Sequence, residues 1–448
     1  GQCAILAATI VNLFLLAFAA IAKAAGWMTA KKEEEEAKKT DVAVAGSTFI
    51  TTTEEAKQLA FSSMLKICVP CAELSFWLIY VTMAEWVFPS RARTHSPGDF
   101  WELMVLLAFV SILWQRPVKP AKGAASVLSR DISNEWRGWM QVAFLMYHYC
   151  HMQEVYPFIR LLVTAYVWQT GYGNGIYFSL KKEFTGERCF QMLWRLNFIV
   201  FLLVLATRTP WIAYYVCALH TVHFLLIFGS MALACILLYR RKGIEWWPIA
   251  ALVGLTVFSA IMWDIPNVWE YTVGPIFSFT LGSDFDRELH FRTFLDHYSS
   301  CFGLFAAIMV PYFEKWANKS PMVCYATLGS IAAVLAGLWF YVYAERRDDD
   351  IAYDNVHPYI SCQMLWGYVL VRGLTKKMRE TVSVPLVFIG IHSLEFYLLQ
   401  FHLFLSQEAQ AILMIVPNKR LNIALCIPIY ALCAYRLFYL TNVIKDLF

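Results

Sequence analysis

Charge is what this chain has least of. Lys, Arg, Asp and Glu make up 16% of its 448 residues, against 59% hydrophobic ones, and the mean hydropathy is +0.51. A chain so poor in charge cannot clothe a soluble surface, so it reads as an integral membrane protein. Long polar stretches are scarce as well. The longest, residues 30–60, is about thirty residues against the roughly fifty of a small folded domain, which excludes a soluble catalytic domain. A Gly-x-Ser-x-Gly elbow, a P-loop and a Gly-x-Gly-x-x-Gly fingerprint are all missing. Any enzyme chemistry is therefore confined to the membrane or its edge. The net charge is only +4, with the basic residues in loops and not in a stripe, which excludes a nucleic-acid partner. The twelve cysteines are scattered through apolar segments, where Cys acts as a small buried hydrophobe. Cys68-Val-Pro-Cys71 sits in such a run without a βαβ context and is assigned no redox or metal role.

What is present is a series of apolar runs, at 4–29, 62–88, 101–115, 138–152, 156–173, 188–205, 211–239, 246–263, 269–281, 298–315, 321–344, 357–373, 382–405 and 421–441. They predict an all-α polytopic membrane protein with roughly eleven to fourteen transmembrane helices, some tilted or re-entrant. Residues 1–29 are expected to form a retained N-terminal transmembrane helix, because no small-residue cleavage pattern follows it. Residues 30–60, with alternating Lys and Glu blocks, are expected to be a solvated cytosolic linker, and 61–448 the multi-helix membrane domain. Lys31, Lys32, Lys38, Lys39 and Lys57 fall in the first polar loop, and Arg116, Lys119, Lys122, Arg130 and Arg137 in the next one on the same side. The positive-inside rule makes that side the cytosol.

Three polar constellations interrupt the apolar runs. Arg137, Gln141, Phe144 and His148 recur at i, i+4, i+7 and i+11, one stripe of a helix, with His151 next along it. Eleven residues return the His to within about 20° of the Arg and carry it about 16 Å along the axis. The expectation is a cation at the cytosolic membrane surface and an imidazole near the midplane, and intramembrane ionisable groups mark functional sites. Next come Glu288, Arg292 and Asp296 on one stripe, with His290 and His297 on another. That row is either a structural ion-pair ladder or a polar wall in which an Arg holds an anion and a His exchanges a proton. Last, Glu395 and His402 are seven residues apart in one apolar segment, about 10 Å along a helix axis, and point to a cavity or relay. Smaller signals are Arg195 with Asn197, His220 with His223, and His357-Pro-Tyr359.

Several stretches carry a resemblance. They are Asp131 with Glu135-Trp-Arg-Gly-Trp-Met-Gln141 through Met146-Tyr-His-Tyr149; Ala165-Tyr-Val-Trp-Gln-Thr-Gly-Tyr-Gly-Asn174; Gln191-Met-Leu-Trp-Arg-Leu-Asn-Phe198; His290-Phe-Arg292 with Leu295-Asp296 and Tyr298; Val356-His-Pro-Tyr359; Leu394-Glu-Phe-Tyr with Gln400-Phe-His402; and Tyr435-Arg-Leu-Phe with Leu440-Thr-Asn442. In this order they resemble the reduced wall acetylation family of plants and the membrane half of the sialic-acid and fungal-capsule O-acetyltransferases. The Arg-x10-His step also looks like the signature of the wider acyltransferase-three superfamily. Residues 240–287 match poorly. The lumenal hydrolase-like domain of the animal and fungal members has no counterpart here.

The resemblance implies a membrane O-acetyltransferase of the Golgi or endomembranes that takes acetyl from cytosolic acetyl-CoA and supports O-acetylation of a glycan across the membrane. On this reading Arg130, Arg137 and Arg195 bind CoA phosphates. His148 is the general base on an acceptor hydroxyl or the transient acetyl acceptor. Glu395, Asp296 or Glu288 orients an imidazole, while Arg292, His290 and His402 line the acceptor side beside Asn197 and Gln141. No metal is implied. The expected partners are membrane lipid and either a glycan acceptor or a separate lumenal acetyltransferase, with residues 30–60 or 240–287 open to a protein partner. Two alternatives stay open: a transporter of acetyl-CoA or acetyl groups, and a non-catalytic subunit retaining the fold.

Overall fold

A computed structural model describes residues 48–118, 128–319, 321–346, 350–373, 375–407 and 409–446. The expected helix at 1–29, most of the expected linker, Lys119 and Lys122 lie outside the described residues. The chain runs through α1 Thr48–Val87, α2 Pro97–Leu113, α3 Arg130–Tyr149, α4 Tyr156–Lys181, α5 Gly186–Thr207, α6 Tyr215–Ala234, α7 Trp247–Ser259, α8 Val268–Tyr271 and α9 Gly274–Leu281. It continues through α10 Ser283–Asp296, α11 Ser299–Lys319, α12 Pro321–Arg346, α13 Asp350–Gly373, α14 Lys376–Glu380, α15 Val384–Ile391, α16 Ser393–Leu403 and α17 Lys419–Lys445. Residues 48–60, expected in the linker, are instead the opening turns of α1. Their Glu and Lys residues favour helix as readily as solvent.

Among the described residues seven helices are long and apolar enough to cross a membrane, and the bent pair α15–α16 supplies an eighth candidate. The protein is thus a multi-pass, all-α membrane protein. Helices α3, α4 and α13 have 20, 26 and 24 residues, enough for the roughly 30 Å of a hydrocarbon core. They carry the polar groups of the interior and so fail a test of apolarity. Leu106, Phe109, Ile112 and Leu113 of α2 and Val253 and Val257 of α7 are exposed, as side chains facing lipid tails are.

Two small antiparallel sheets mark opposite ends of the bundle. At one end β1 Ser90–Ala92 pairs with β5 Ala411–Leu413, which also takes β4 Leu405–Ser406. At the other, β2 Gln115–Pro117 pairs with β3 Thr381–Ser383, with Arg116 opposite Val382. Helix α3 connects the two ends. Its N-terminus is capped by the Ser129 hydroxyl, which accepts from the Ile132 amide at 3.3 Å. Just inside, Glu135 accepts from the Ser383 amide at 2.7 Å and pairs with Arg372 at 2.5 Å.

Backbone contact without side chains sets the core spacing. A Cβ on Gly138 of α3 would lie 1.9 Å from the Leu386 carbonyl oxygen of α15, and one on Gly390 would lie 1.7 Å from that of Asn134. Gly171 of α4 and Gly303 of α11 make the same approach, 2.3 Å from Ser300 O and 2.1 Å from Trp168 O. Glycine is what lets these helix pairs close to backbone contact.

Candidate active site

The face of α3 predicted from spacing does look inward, at three levels. At the first level the Arg137 Nε donates to Gln169 Oε1 of α4 at 2.8 Å, and the Tyr166 hydroxyl donates to the Arg137 carbonyl at 2.8 Å. Arg130 and Arg195 both act on the Arg137 charge, so the three arginines share a neighbourhood. His220 of α6 is joined to Arg137 through Tyr166, whose ring lies 6.3 Å from the imidazole and whose hydroxyl donates to the Arg137 carbonyl, and its Nδ1 lies 2.8 Å from the Thr170 hydroxyl. Arg137, Tyr166, Thr170, Arg195 and His220 all keep solvent-accessible surface although they sit between helices. Together they form a polar, partly accessible cluster between the helices, the arginine chamber.

The second level is closed. Gln141 Nε2 donates to Gln400 Oε1 of α16 at 3.5 Å, and Phe144 packs against Tyr397 at 6.0 Å between ring centroids. Gln141 is 4% exposed, Gln400 0%, Phe144 7% and Tyr397 5%. These four residues form a plug that separates the arginines from His148.

At the third level His148 is half-buried among Phe144, Tyr147 and Phe401, with ring centroids at 5.0, 5.0 and 6.4 Å. Among the described residues neither ring nitrogen has a hydrogen-bond partner. Its carbonyl accepts from Arg93 at 3.3 Å. Phe401 stacks edge-on to Tyr214 at 6.0 Å, and the Tyr214 hydroxyl lies 2.6 Å from His402 Nε2. His402 Nδ1 in turn is 3.3 Å from Glu85 Oε1. Two imidazoles, a cation and a carboxylate thus gather at the β1 end of the bundle.

Arg137 stands seven residues into α3, about 10 Å from its start. Its partner Gln169 is near mid-length of α4, and the Tyr172 hydroxyl reaches the Leu128 carbonyl at 3.3 Å. From there α4 continues nine residues to Lys181, about 14 Å further. So the arginine lies between the ends of α3, level with the middle of α4, and His148 is one residue from the C-terminal end of α3. His151 leaves the stripe, since α3 ends at Tyr149 and His151 has φ 51°.

Several expected roles also move. Arg195 and Glu395 form a bidentate pair, with Nη2 to Oε2 at 2.9 Å and Glu395 0% exposed. Glu395 therefore braces a guanidinium, with no hydrogen bond to an imidazole among the described residues, and the Arg195 charge is offset before any phosphate arrives. Asp296 takes bonds from Arg160 at 3.2 Å and Thr164 at 2.7 Å, the Thr164 oxygen lying 2.8 Å from His357 Nε2. Glu288 pairs with Arg292 at 2.6 Å, and that guanidinium lies 4.4 Å over the Tyr215 ring. One rung of the expected ladder thus forms, while Asp296 pairs with Arg160 and not with Arg292. Asn197 bonds to Thr221 at 2.9 Å and to the Leu193 carbonyl at 3.0 Å. His290 leaves the cluster altogether: it stacks on Trp269 at 4.9 Å and contacts Glu270 at 3.5 Å near the surface.

Sequence reasoning missed Arg93, Glu85, Tyr214, Tyr166, Gln169 and Thr170. The last three lie in the quoted stretch from Ala165 to Asn174, and Tyr166 and Thr170 are one helical turn apart. Glu85 was a lone carboxylate near the end of an apolar run, a signal of the kind that marked Glu395.

A family model described as the 10 TM Acyl Transferase domain found in Cas1p matches residues 2–448. The chain is 27% identical over 373 residues to a Danio rerio protein named N-acetylneuraminate (7)9-O-acetyltransferase. That alignment covers 80% of this chain and 47% of the fish protein, so the chain spans about half the length of this relative. No solved structure matches it.

Proposed function

Because the chain belongs to the family of the 10 TM acyl transferase domain found in Cas1p, we propose that it is an O-acetyltransferase that draws acetyl from acetyl-CoA at the Arg130 end and delivers it to a glycan hydroxyl at the His148 end. The observation that supports this reading is the inward face of α3, with an arginine chamber and an imidazole site at two depths on one helix. Arg130 is exposed at the first residue of α3, where the positive end of the helix dipole adds to its charge, a setting suited to CoA phosphates. Arg137, between the ends of α3, is suited to the thioester carbonyl, whose oxygen gains negative charge as it is attacked. His148, whose ring nitrogens have no hydrogen-bond partner among the described residues, takes the acceptor hydroxyl proton. The Arg130 end faces the cytosol by the loop-charge argument, and the membrane is an endomembrane such as the Golgi.

The test uses purified protein in nanodiscs with labelled acetyl-CoA and soluble acceptors, both neutral oligosaccharides and sialic acid. Label recovered as an alkali-labile ester on sugar, with equimolar CoA release, is the expected result. Arg137→Ala should abolish acetyl-CoA binding measured by calorimetry. The same protein in sealed proteoliposomes carrying label across the membrane without ester formation would be a transporter and would sink the proposal.

A further inference from the structure

The plug between Arg137 and His148 raises a question of chemistry. A thioester carbonyl polarised by Arg137 cannot reach His148 while Gln141, Gln400, Phe144 and Tyr397 stay packed. The imidazole that shares the arginine's chamber is His220. The Thr170 hydroxyl has one hydrogen, and it donates that hydrogen to the Tyr166 carbonyl at 3.3 Å, the ordinary back-bond of a helical Thr. The same oxygen lies 2.8 Å from His220 Nδ1, and in the tautomer that a nucleophilic Nε2 requires it accepts from Nδ1–H. Nε2 is left as the unprotonated nitrogen, with its lone pair uncommitted to any described residue. The Tyr166 ring lies edge-on at 6.3 Å and holds the imidazole from the side. His223, one turn on, contrasts with it: its Nδ1 meets Ser300 at 3.0 Å and it is fully buried.

We infer that His220 is the nucleophile of the donor half-reaction, its Nε2 taking acetyl from the thioester on the arginine side of the plug. This rests on the acetyltransferase reading. The Nε2–carbonyl carbon bond forms and the carbon–sulfur bond breaks, with the electron pair leaving on sulfur. The Nδ1 proton is released and neutralises the thiolate, so acetyl-CoA and imidazole become N-acetylimidazole and CoA. Arg137 faces the oxyanion of the tetrahedral intermediate, and Thr170 orients the ring. When Gln141, Gln400, Phe144 and Tyr397 part, the acceptor hydroxyl attacks the acetyl carbon, the acyl–nitrogen bond breaks and the hydroxyl proton returns to the imidazole, so N-acetylimidazole and alcohol become ester and imidazole.

A covalent donor step makes a prediction that needs no knowledge of the acceptor. Protein in nanodiscs, given acetyl-CoA and radiolabelled CoA with no glycan, should exchange label into acetyl-CoA. His220→Asn should lower that exchange more than about a thousandfold while calorimetry shows acetyl-CoA still bound, and His290→Asn, on a histidine stacked against Trp269 away from the arginines, should leave exchange within a factor of about three. Exchange lost in His148→Asn but kept in His220→Asn would overturn the assignment. So would acetyl transfer to glycan by a wild-type protein that shows no exchange, since transfer is then direct. A wild-type protein with neither exchange nor transfer would remove the acetyltransferase reading along with this one.

Discussion

Adding a single methyl group at Gly138 is expected to disable the protein. A Cβ there would stand 1.9 Å from the Leu386 oxygen and 2.7 Å from its carbonyl carbon. Carbon and oxygen settle at about 3.3 Å or more, so α3 and α15 would have to part by about 1.4 Å. Both obstructing atoms are backbone, and no rotamer change relieves them. Overpacking of a core costs about 1–3 kcal/mol when side chains can yield; with backbone in the way the cost of Gly138→Ala should sit at about 3 kcal/mol or above. Gly390→Ala should match it, since its Cβ meets the Asn134 oxygen at 1.7 Å. Gly367→Ala in α13 is the control, because nothing lies within 4 Å of its Cβ and alanine gains about 1 kcal/mol of helix propensity over glycine. Detergent-solubilised variants would be compared by unfolding midpoint. Arg137 adjoins Gly138, so moving α3 also pulls its guanidinium from Gln169, and acetyl-CoA affinity should fall in Gly138→Ala. A Gly138→Ala protein that melts with the control would refute the backbone-contact account of this helix pair.

Other perturbations separate structural charges from working ones. Asp296→Asn leaves Arg160, 2% exposed, without its counter-charge, and should cost about 3–5 kcal/mol in the unfolding midpoint; Glu288→Gln, on a partly exposed pair, should cost less than about 1 kcal/mol. For the Arg195–Glu395 pair, Glu395→Leu alone should destabilise by about 3 kcal/mol, whereas Arg195→Met with Glu395→Leu should recover most of it. An unrecovered double variant would show that the pair does more than neutralise itself. His402→Phe strands the Tyr214 hydroxyl and should cost about 1–3 kcal/mol, with a larger loss of glycan transfer than of CoA exchange. Equal losses in the two assays would detach His402 from the acceptor side.

The three-dimensional result shows which parts of the site a linear pattern can carry. The stripe from Arg137 to His148 was legible because helical periodicity alone fixes which residues share a face, and Gln141 and Phe144 do stand between the two ends. Glu288 and Arg292 were legible for the same reason. Bonds between helices were not: Arg195 with Glu395, Arg160 with Asp296 and Glu85 with His402 join residues 200, 136 and 317 positions apart, and no periodicity encodes such pairings. The break between α15 and α16, bent by 82° at His392, also escaped. Residues 382–405 read as one apolar run, and His392 supplies its own stop by placing Nδ1 2.7 Å from the Phe388 carbonyl.

Position along the bundle depends on neighbours that the loop charges do not describe. Helix α3 begins with exposed Arg130 beside the β2–β3 sheet, level with Tyr172 of the longer α4. Arg137 then stands about 10 Å in from that end, and His148 one residue from the other. The spacing of eleven then ceases to be the reach from a phosphate site to a transfer point. It becomes the distance between two chambers, closed off from each other by Gln141, Gln400, Phe144 and Tyr397. A catalyst with that arrangement needs a reactive group on the donor side of the plug, and His220 was invisible as such a group because it lies on another helix, 83 residues from Arg137. Only the packing of α4 between α3 and α6, with Gln169 turned to one and Thr170 to the other, brings the arginine and the second imidazole into one chamber.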